Sequence, residues 1–246
     1  MKIKADVNLI IVFSAFLLLS GCATINTIAN TNVDIDTSNL SRSNAPDASV
    51  NVLVTVTDKR NFIDGSEDAK DHSINNVPAY QHLKGQEARV IGRKTTNYGY
   101  VGRARPVGHL LLPENQTVSG LVKAAIESVL RENGWKVLDN ESERTPKTNI
   151  IDVSVSRFWM WPDPHFVYWT MYADITADVM NTSLFKNPIT ITGQHNENFY
   201  TDTTLYLGYD NVLQAVYKAF KADAKAKLGT PSKPVQTIKK TRRKAR

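Results

Sequence analysis

The chain reads as an α/β (α+β) protein, with a mostly antiparallel sheet, two helices packed on one face and a single sandwich-like domain. Two observations predict this. Apolar residues recur at spacings of three and four in two stretches, residues 116–133 and 210–228, and alternate in strand fashion elsewhere. The segment order is strand, hairpin, helix, strand, three antiparallel strands, helix, which lets both helices cover the same sheet face.

The first residues carry an address rather than a fold. Lys2 and Lys4 precede an apolar run from Leu9 to Leu19, too short to span a bilayer but of signal-peptide length. Leu19-Ser20-Gly21-Cys22 follows and resembles the bacterial lipobox, in which the cysteine is lipidated and becomes the first mature residue. Residues 1–21 are therefore expected as a lipoprotein signal peptide, with palmitate-type acylation on Cys22. Cys22 is also the one cysteine of the chain, so no disulfide is expected. Two or more acyl chains give stable anchoring, at about 0.8 kcal/mol per buried methylene. Ala23 and Thr24 follow the cysteine where inner-membrane lipoproteins carry aspartate, which points to the outer membrane, facing the periplasm.

Residues 22–49 are rich in Asn, Thr, Ser and Asp and read as a flexible lipidated tether, with the fold spanning 50–229. Val50-Asn51-Val52-Leu53-Val54-Thr55-Val56 alternates as a strand. Residues 58–86 are polar and broken by Gly65, Pro78 and Gly85, a loop long enough to be functional or disordered. Ala88–Gly92 and Tyr98–Gly102 read as two short strands around a turn at Thr95-Thr96-Asn97. The first helix places Val118, Leu121, Val122, Ala125, Ile126, Val129 and Leu130 on one stripe, with Asn115 or Thr117 as cap and Asn133-Gly134 as stop. Trp135–Leu138 enters a strand. Three more strands follow at about Ile150–Trp161, Phe166–Asn181 and Ile189–Tyr200. A second helix over Asp210–Leu228 ends at Gly229, with Pro231 and Pro234 beyond.

The formal net charge of +6 does not belong to the fold. Lys233, Lys239, Lys240, Arg242, Arg243, Lys244 and Arg246 cluster in the last stretch with no acid among them. Residues 230–246 read as a basic disordered tail suited to an anionic surface, such as a cell-wall glycan, anionic lipid or an acidic protein. Arg89, Arg93, Lys94, Arg103 and Arg105, interleaved with Tyr98 and Tyr100, form a second basic group. They suit a sheet edge protected from self-pairing, with an anionic partner as the alternative. Export removes nucleic acid from reach, so no nucleic-acid partner is expected.

The stretch RFWMWPDPHFVYW, residues 157–169, holds three of the four tryptophans. If its turn centres on Asp163, the odd positions Val153, Val155, Trp159, Trp161, Val167, Trp169 and Met171 share the face under the helices. Arg157 would then lie opposite Trp169, its guanidinium on the indole. The even positions Phe158, Met160, Phe166, Tyr168 and Tyr172 would form an outer apolar patch near the turn. Three readings stand for that patch: cover by another part of the chain, a partner-binding surface, or a tip that touches the membrane.

Nothing in the sequence assembles a catalytic constellation. His72, His82, His109, His165 and His195 are scattered and match no metal-ligand spacing, no GxSxG occurs, and the glycines match no nucleotide-binding loop. No enzyme activity, no metal and no cofactor beyond the lipid on Cys22 are expected.

The motif order resembles the YajG-type family of small bacterial outer-membrane lipoproteins. The resemblance rests on Leu19-Ser20-Gly21-Cys22, the Val52–Thr57 strand with Asp58-Lys59-Arg60, Ile91-Gly92-Arg93-Lys94 with Asn97-Tyr98-Gly99, and the Leu121–Leu130 helix ending in Asn133-Gly134-Trp135. It covers about residues 50–228 and implies an outer-membrane lipoprotein with no catalytic residues to carry over. The 58–86 stretch and the basic tail depart from it. The architecture is also loosely similar to lipoprotein activators of cell-wall synthases, an analogy of fold alone. The leading expectation is a lipid-anchored binding or scaffolding module in an envelope assembly, contacting an envelope protein. A carrier or sensor of a lipid or cell-wall glycan, a cell-wall synthase activator, and a hydrolase without a recognisable motif are the alternatives.

Overall fold

A computed structural model describes residues 30–46, 48, 50–60, 85–97, 104–165, 167–181, 183–185 and 187–231. It is one α+β domain of a mixed eight-stranded sheet and two helices. The strands are β1 (Thr31–Asn32), β2 (Asn51–Asp58), β3 (Val90–Asn97), β4 (Ala104–Leu111), β5 (Lys136–Val137), β6 (Asn149–Pro164), β7 (Trp169–Met180) and β8 (Ile189–Phe199). The helices are α1 (Val118–Glu132) and α2 (Asp202–Leu228).

The long strand β6 organises the sheet. β7 runs antiparallel along one of its edges, and β8 antiparallel to β7. The other edge is shared. β2 lies parallel to β6 from Val52 opposite Asn149 to Asp58 opposite Val155, and β3 takes over where Gly92 faces Met160. β5 extends the sheet beyond β2, while β4 and β1 extend it beyond β3. The sheet is mixed: the pairings β6–β7, β7–β8 and β3–β4 are antiparallel as expected, and β2 adds a parallel pairing to β6. Alternation in β2 and β3 reports which face is buried, and carries no information on strand direction.

Both helices cover the same face. α2 lies over β7 and β8, α1 over β2, and the two helices touch. The Tyr217 hydroxyl donates to the Leu121 carbonyl at 2.8 Å, and Glu132 accepts from Lys221 and Lys225 across the same joint. α2 sits low on the sheet because β8 offers Gly193. A Cβ there would meet the Val216 carbonyl at 2.5 Å and the Phe220 nitrogen at 2.6 Å. α1 starts at the expected Thr117 cap, which accepts from the Gly120 N–H, and stops before Gly134 at φ +85°. α2 begins two turns earlier than expected. Thr201 and Thr204 form a reciprocal cap, and Gly208 interrupts the apolar period because the Phe199 ring occupies its Cβ space.

The expected tether does not extend through residues 30–46. β1 pairs parallel with β4, and Val33, Ile35 and Leu40 enter the main core. The polar residues around them serve the backbone. Asp210 accepts from the Asp34 N–H, Gln214 from the Asp36 N–H, and Asn44 exchanges two hydrogen bonds with Val137. The basic hairpin is also differently framed. Thr95, Thr96 and Asn97 belong to β3, which pairs with Ala104–Leu111, and the expected strand Tyr98–Gly102 lies outside the described residues. Tyr98, Tyr100 and Arg103 lie outside the described residues, as does most of the 58–86 stretch.

Candidate functional site

One extra residue in β6 decides which aromatic side chains reach the surface. Up to Val155 opposite Ala177, β6 and β7 keep one register; from Arg157 opposite Thr176 the register has moved by one. Ser156 is the bulged residue, its hydroxyl donating to the Thr176 carbonyl at 3.4 Å. A bulge reverses the face taken by every later residue of its own strand and leaves the partner strand unchanged. Val153 and Val155 therefore point inward before it, and Phe158 and Met160 after it.

This overturns half of the patch expected from uniform alternation. Phe158 and Met160 have no exposed surface and belong to the core. Trp159 and Trp161 lie on the outer face instead, Trp159 buried there against Val90 and Leu111 and Trp161 half-buried. Tyr172, on the unbulged β7, stays outward as expected, stacked on Trp161 with centroids 5.4 Å apart and planes 13° from parallel. Tyr168 lies at the hairpin tip, stacked on His165 at 4.4 Å and 6.2 Å from Tyr200. Phe166 lies outside the described residues. Trp169 points inward to the core, so Arg157 does not meet it. The Arg157 guanidinium pairs with Asp174 at 3.3 Å.

The outer face of β6, β7 and β8 carries an open depression of about 530 Å³ lined by Arg157, Trp161, Tyr172, Asp174, Gln194 and Asn196. Strand register brings these groups into rows. Trp161, Tyr172 and Asn196 lie side by side across three strands, as do Trp159, Asp174 and Gln194. In a further row Thr170 donates to Asn198 at 2.9 Å. The result is an aromatic surface framed by side-chain amides and one ion pair. Another depression of about 510 Å³, lined by residues including Lys147, Asn149, Asp152 and Asn181, has no aromatic wall.

Arg60 holds this face in shape, and sequence reading missed that role. β2 leaves β6 just before β3 joins it, which exposes carbonyls at the fork. The buried Arg60 guanidinium fills the gap, donating to the carbonyls of Val90 (2.6 Å), Phe158 (3.2 Å) and Glu87 (3.0 Å), and to Asp58 at 2.7–3.1 Å. It also lies 4.7 Å from the Trp159 ring centroid, below the outer-face cluster of Val90, Leu111 and Trp159. Burial pulls its pKa down and Asp58 pushes it back up, the net direction being downward. The signal in the sequence was Asp58-Lys59-Arg60 at a strand end, a charge cluster that reads equally as a solvated turn.

Among the described residues no group of three or more His, Cys, Asp or Glu is placed to hold a metal ion. His109 is buried in β4, His165 lies 3.7 Å from Asp163, and His195 lies 3.8 Å from Glu197, so the three histidines share no site. No helix among the described residues is long and apolar enough to cross a membrane. Cys22 and the tail cations Lys239, Lys240, Arg242, Arg243, Lys244 and Arg246 lie outside the described residues.

No family model and no curated protein matches the chain. Solved structures similar to it include a Xanthomonas campestris protein described under DUF330, at 12% identity and TM-score 0.36, covering 82% of this chain and 92% of that one. An uncharacterized protein matches at 10% identity and TM-score 0.34, over 80% and 96%. A minor lipoprotein from Acinetobacter baumannii matches at 10% identity and TM-score 0.31, over 50% of this chain and 92% of that one. Likenesses at these scores assign the chain neither a family nor a function.

Proposed function

We propose that this chain is a lipid-anchored lipoprotein of the bacterial outer membrane, facing the periplasm, whose folded domain is a non-catalytic binding module. The anchor reading rests on Lys2, Lys4, the Leu9–Leu19 run and Leu19-Ser20-Gly21-Cys22. The ligand it fits best is a saccharide of the envelope. One observation carries that choice: the stacked Trp161 and Tyr172 open onto a depression rimmed by Gln194, Asn196 and the Arg157–Asp174 pair. A pyranose presents an apolar C–H face and a rim of hydroxyls that both donate and accept. Aromatic rings suit the first, and amides, each with donors and an acceptor, suit the second.

Titration of the purified protein with soluble cell-wall glycan strands, followed by tryptophan fluorescence and calorimetry, tests this reading. Tyr172→Ala and Asn196→Ala should each weaken binding roughly tenfold, about 1.4 kcal/mol. No binding by the unaltered protein, or unchanged binding by both variants, refutes it.

A second reading has its own support. Tyr200 is 73% and Val167 64% exposed, beside Tyr168 at the end of the sheet, a surface suited to docking an envelope protein. Tyr200→Ser should then abolish capture of a crosslinked envelope partner at unchanged melting temperature. Capture that persists removes this reading.

A further inference from the structure

Among the described residues β8 is paired on one side only, and the state of its other side changes along its length. In an antiparallel strand the N–H and C=O of one residue point the same way, and successive residues alternate. The Thr192 N–H donates to Asp223 at 2.8 Å, and the Thr190 carbonyl accepts from Lys227 at 2.9 Å, so the even-numbered residues point away from β7. The β7–β8 register has no bulge, so the same holds for Gln194, Asn196 and Asn198. The first half of this edge is therefore capped by two α2 side chains. In the second half, no described residue meets the outward backbone groups of Gln194, Asn196 and Asn198.

Such a row of backbone donors and acceptors at strand spacing is matched by another extended strand. The sequence of the open half, Gln194-His195-Asn196-Glu197-Asn198, states which one. Placed antiparallel to itself about Asn196, it sets Asn196 opposite Asn196 and Gln194 opposite Asn198. It also sets His195 opposite Glu197 twice, with the two side chains in the closely spaced, non-hydrogen-bonded position. Shifting the centre to Gln194 brings the capped Thr192 into the ladder, and shifting it to Asn198 puts Glu197 against Phe199. One register alone joins open edge to open edge with imidazole facing carboxylate.

We infer that two copies of this chain associate through the Gln194–Asn198 edges of their β8 strands, antiparallel about a two-fold axis at Asn196. The contact is isologous and closes on itself, so it makes a dimer and not a filament. About six backbone hydrogen bonds form, two for each facing pair of even residues. The outer-face amides Gln194, Asn196 and Asn198 of both copies then line one continuous sheet, with a Trp161–Tyr172 depression on either side. The association stands independently of what those depressions bind.

The test uses the full-length lipidated protein in detergent. Facing residues at the two-fold axis fall within disulfide reach, so Asn196→Cys should crosslink into dimers under mild oxidation, while Thr190→Cys, on the capped half, should not. Asn196→Pro deletes one outward N–H, which an edge strand tolerates, and should raise the dimer dissociation constant at least tenfold with no change in melting temperature. Glu197→Lys should weaken the dimer similarly by placing a cation against His195. Adding His195→Glu to it should restore association. A monomeric full-length chain by sedimentation, equal crosslinking at both cysteine positions, or no rescue by the charge exchange overturns the inference.

Discussion

Replacing Arg60 by alanine is expected to cost about 4 kcal/mol, although the side chain touches no ligand surface. The guanidinium serves the carbonyls of Val90, Phe158 and Glu87 and the carboxylate of Asp58. Its removal strands the Val90 and Phe158 carbonyls in a buried fork, at roughly 1–3 kcal/mol each. The Asp58 carboxylate keeps part of its exposure and is rehydrated, adding about 1 kcal/mol. Water entering the vacated space offsets some of this. For a domain of this size each kcal/mol shifts the melting temperature by about 2–4 °C, so a fall of about 8–16 °C follows. Arg60→Lys should recover less than half of the loss, since one ammonium cannot reach three carbonyls and a carboxylate together. Urea titration monitored by circular dichroism measures the free energy. A loss below about 1 kcal/mol for Arg60→Ala, or full recovery with lysine, would refute the claim that this residue closes the gap between β2 and β3.

Three further outcomes are expected. Phe158→Ala should destabilise by about 3–5 kcal/mol in urea titration, whereas Tyr172→Ala should cost about 1 kcal/mol or less; equal effects would contradict the face reversal at Ser156. Gly193→Ala should cost about 2–3 kcal/mol by forcing α2 off β8, seen as a lowered melting temperature with helix content retained. Hydrogen bonds from Lys221 and then Lys225 hold the Glu132 carboxyl at about 2, against 4.5 ordinarily. Its folded-state pKa is lowered, so its contribution is complete above about pH 4.5 and lost as the pH falls toward 2. Glu132→Gln should therefore cost about 1 kcal/mol at pH 7, and denaturation midpoints should converge with the unaltered protein on acidification; a gap independent of pH would exclude the ion pairs as its source.

Local pattern was enough wherever one residue's neighbours in sequence were also its structural neighbours. The 116–133 stripe with Thr117 and Gly134 marks α1, the alternation over residues 50–56 marks β2, and the later segments mark β6, β7 and β8 to within a few residues. The resemblance of Leu19-Ser20-Gly21-Cys22 to a lipobox is likewise a matter of short-range order alone. Tertiary structure decided what depends on partners far along the chain. Val33, Ile35 and Leu40 look isolated in a polar run until β4 and the helices supply their contacts. β2 and β6 are parallel because of where the chain returns, which no alternation records. A bulge is a mismatch between two strands and leaves no mark on either alone, so the reversal at Ser156 exchanged Phe158 and Met160 for Trp159 and Trp161 on the outer face. Arg60 became a structural residue only once β3 diverged from β2 and left carbonyls for it to meet. Chain chemistry thus determined the elements, and long-range register determined which side chains face water.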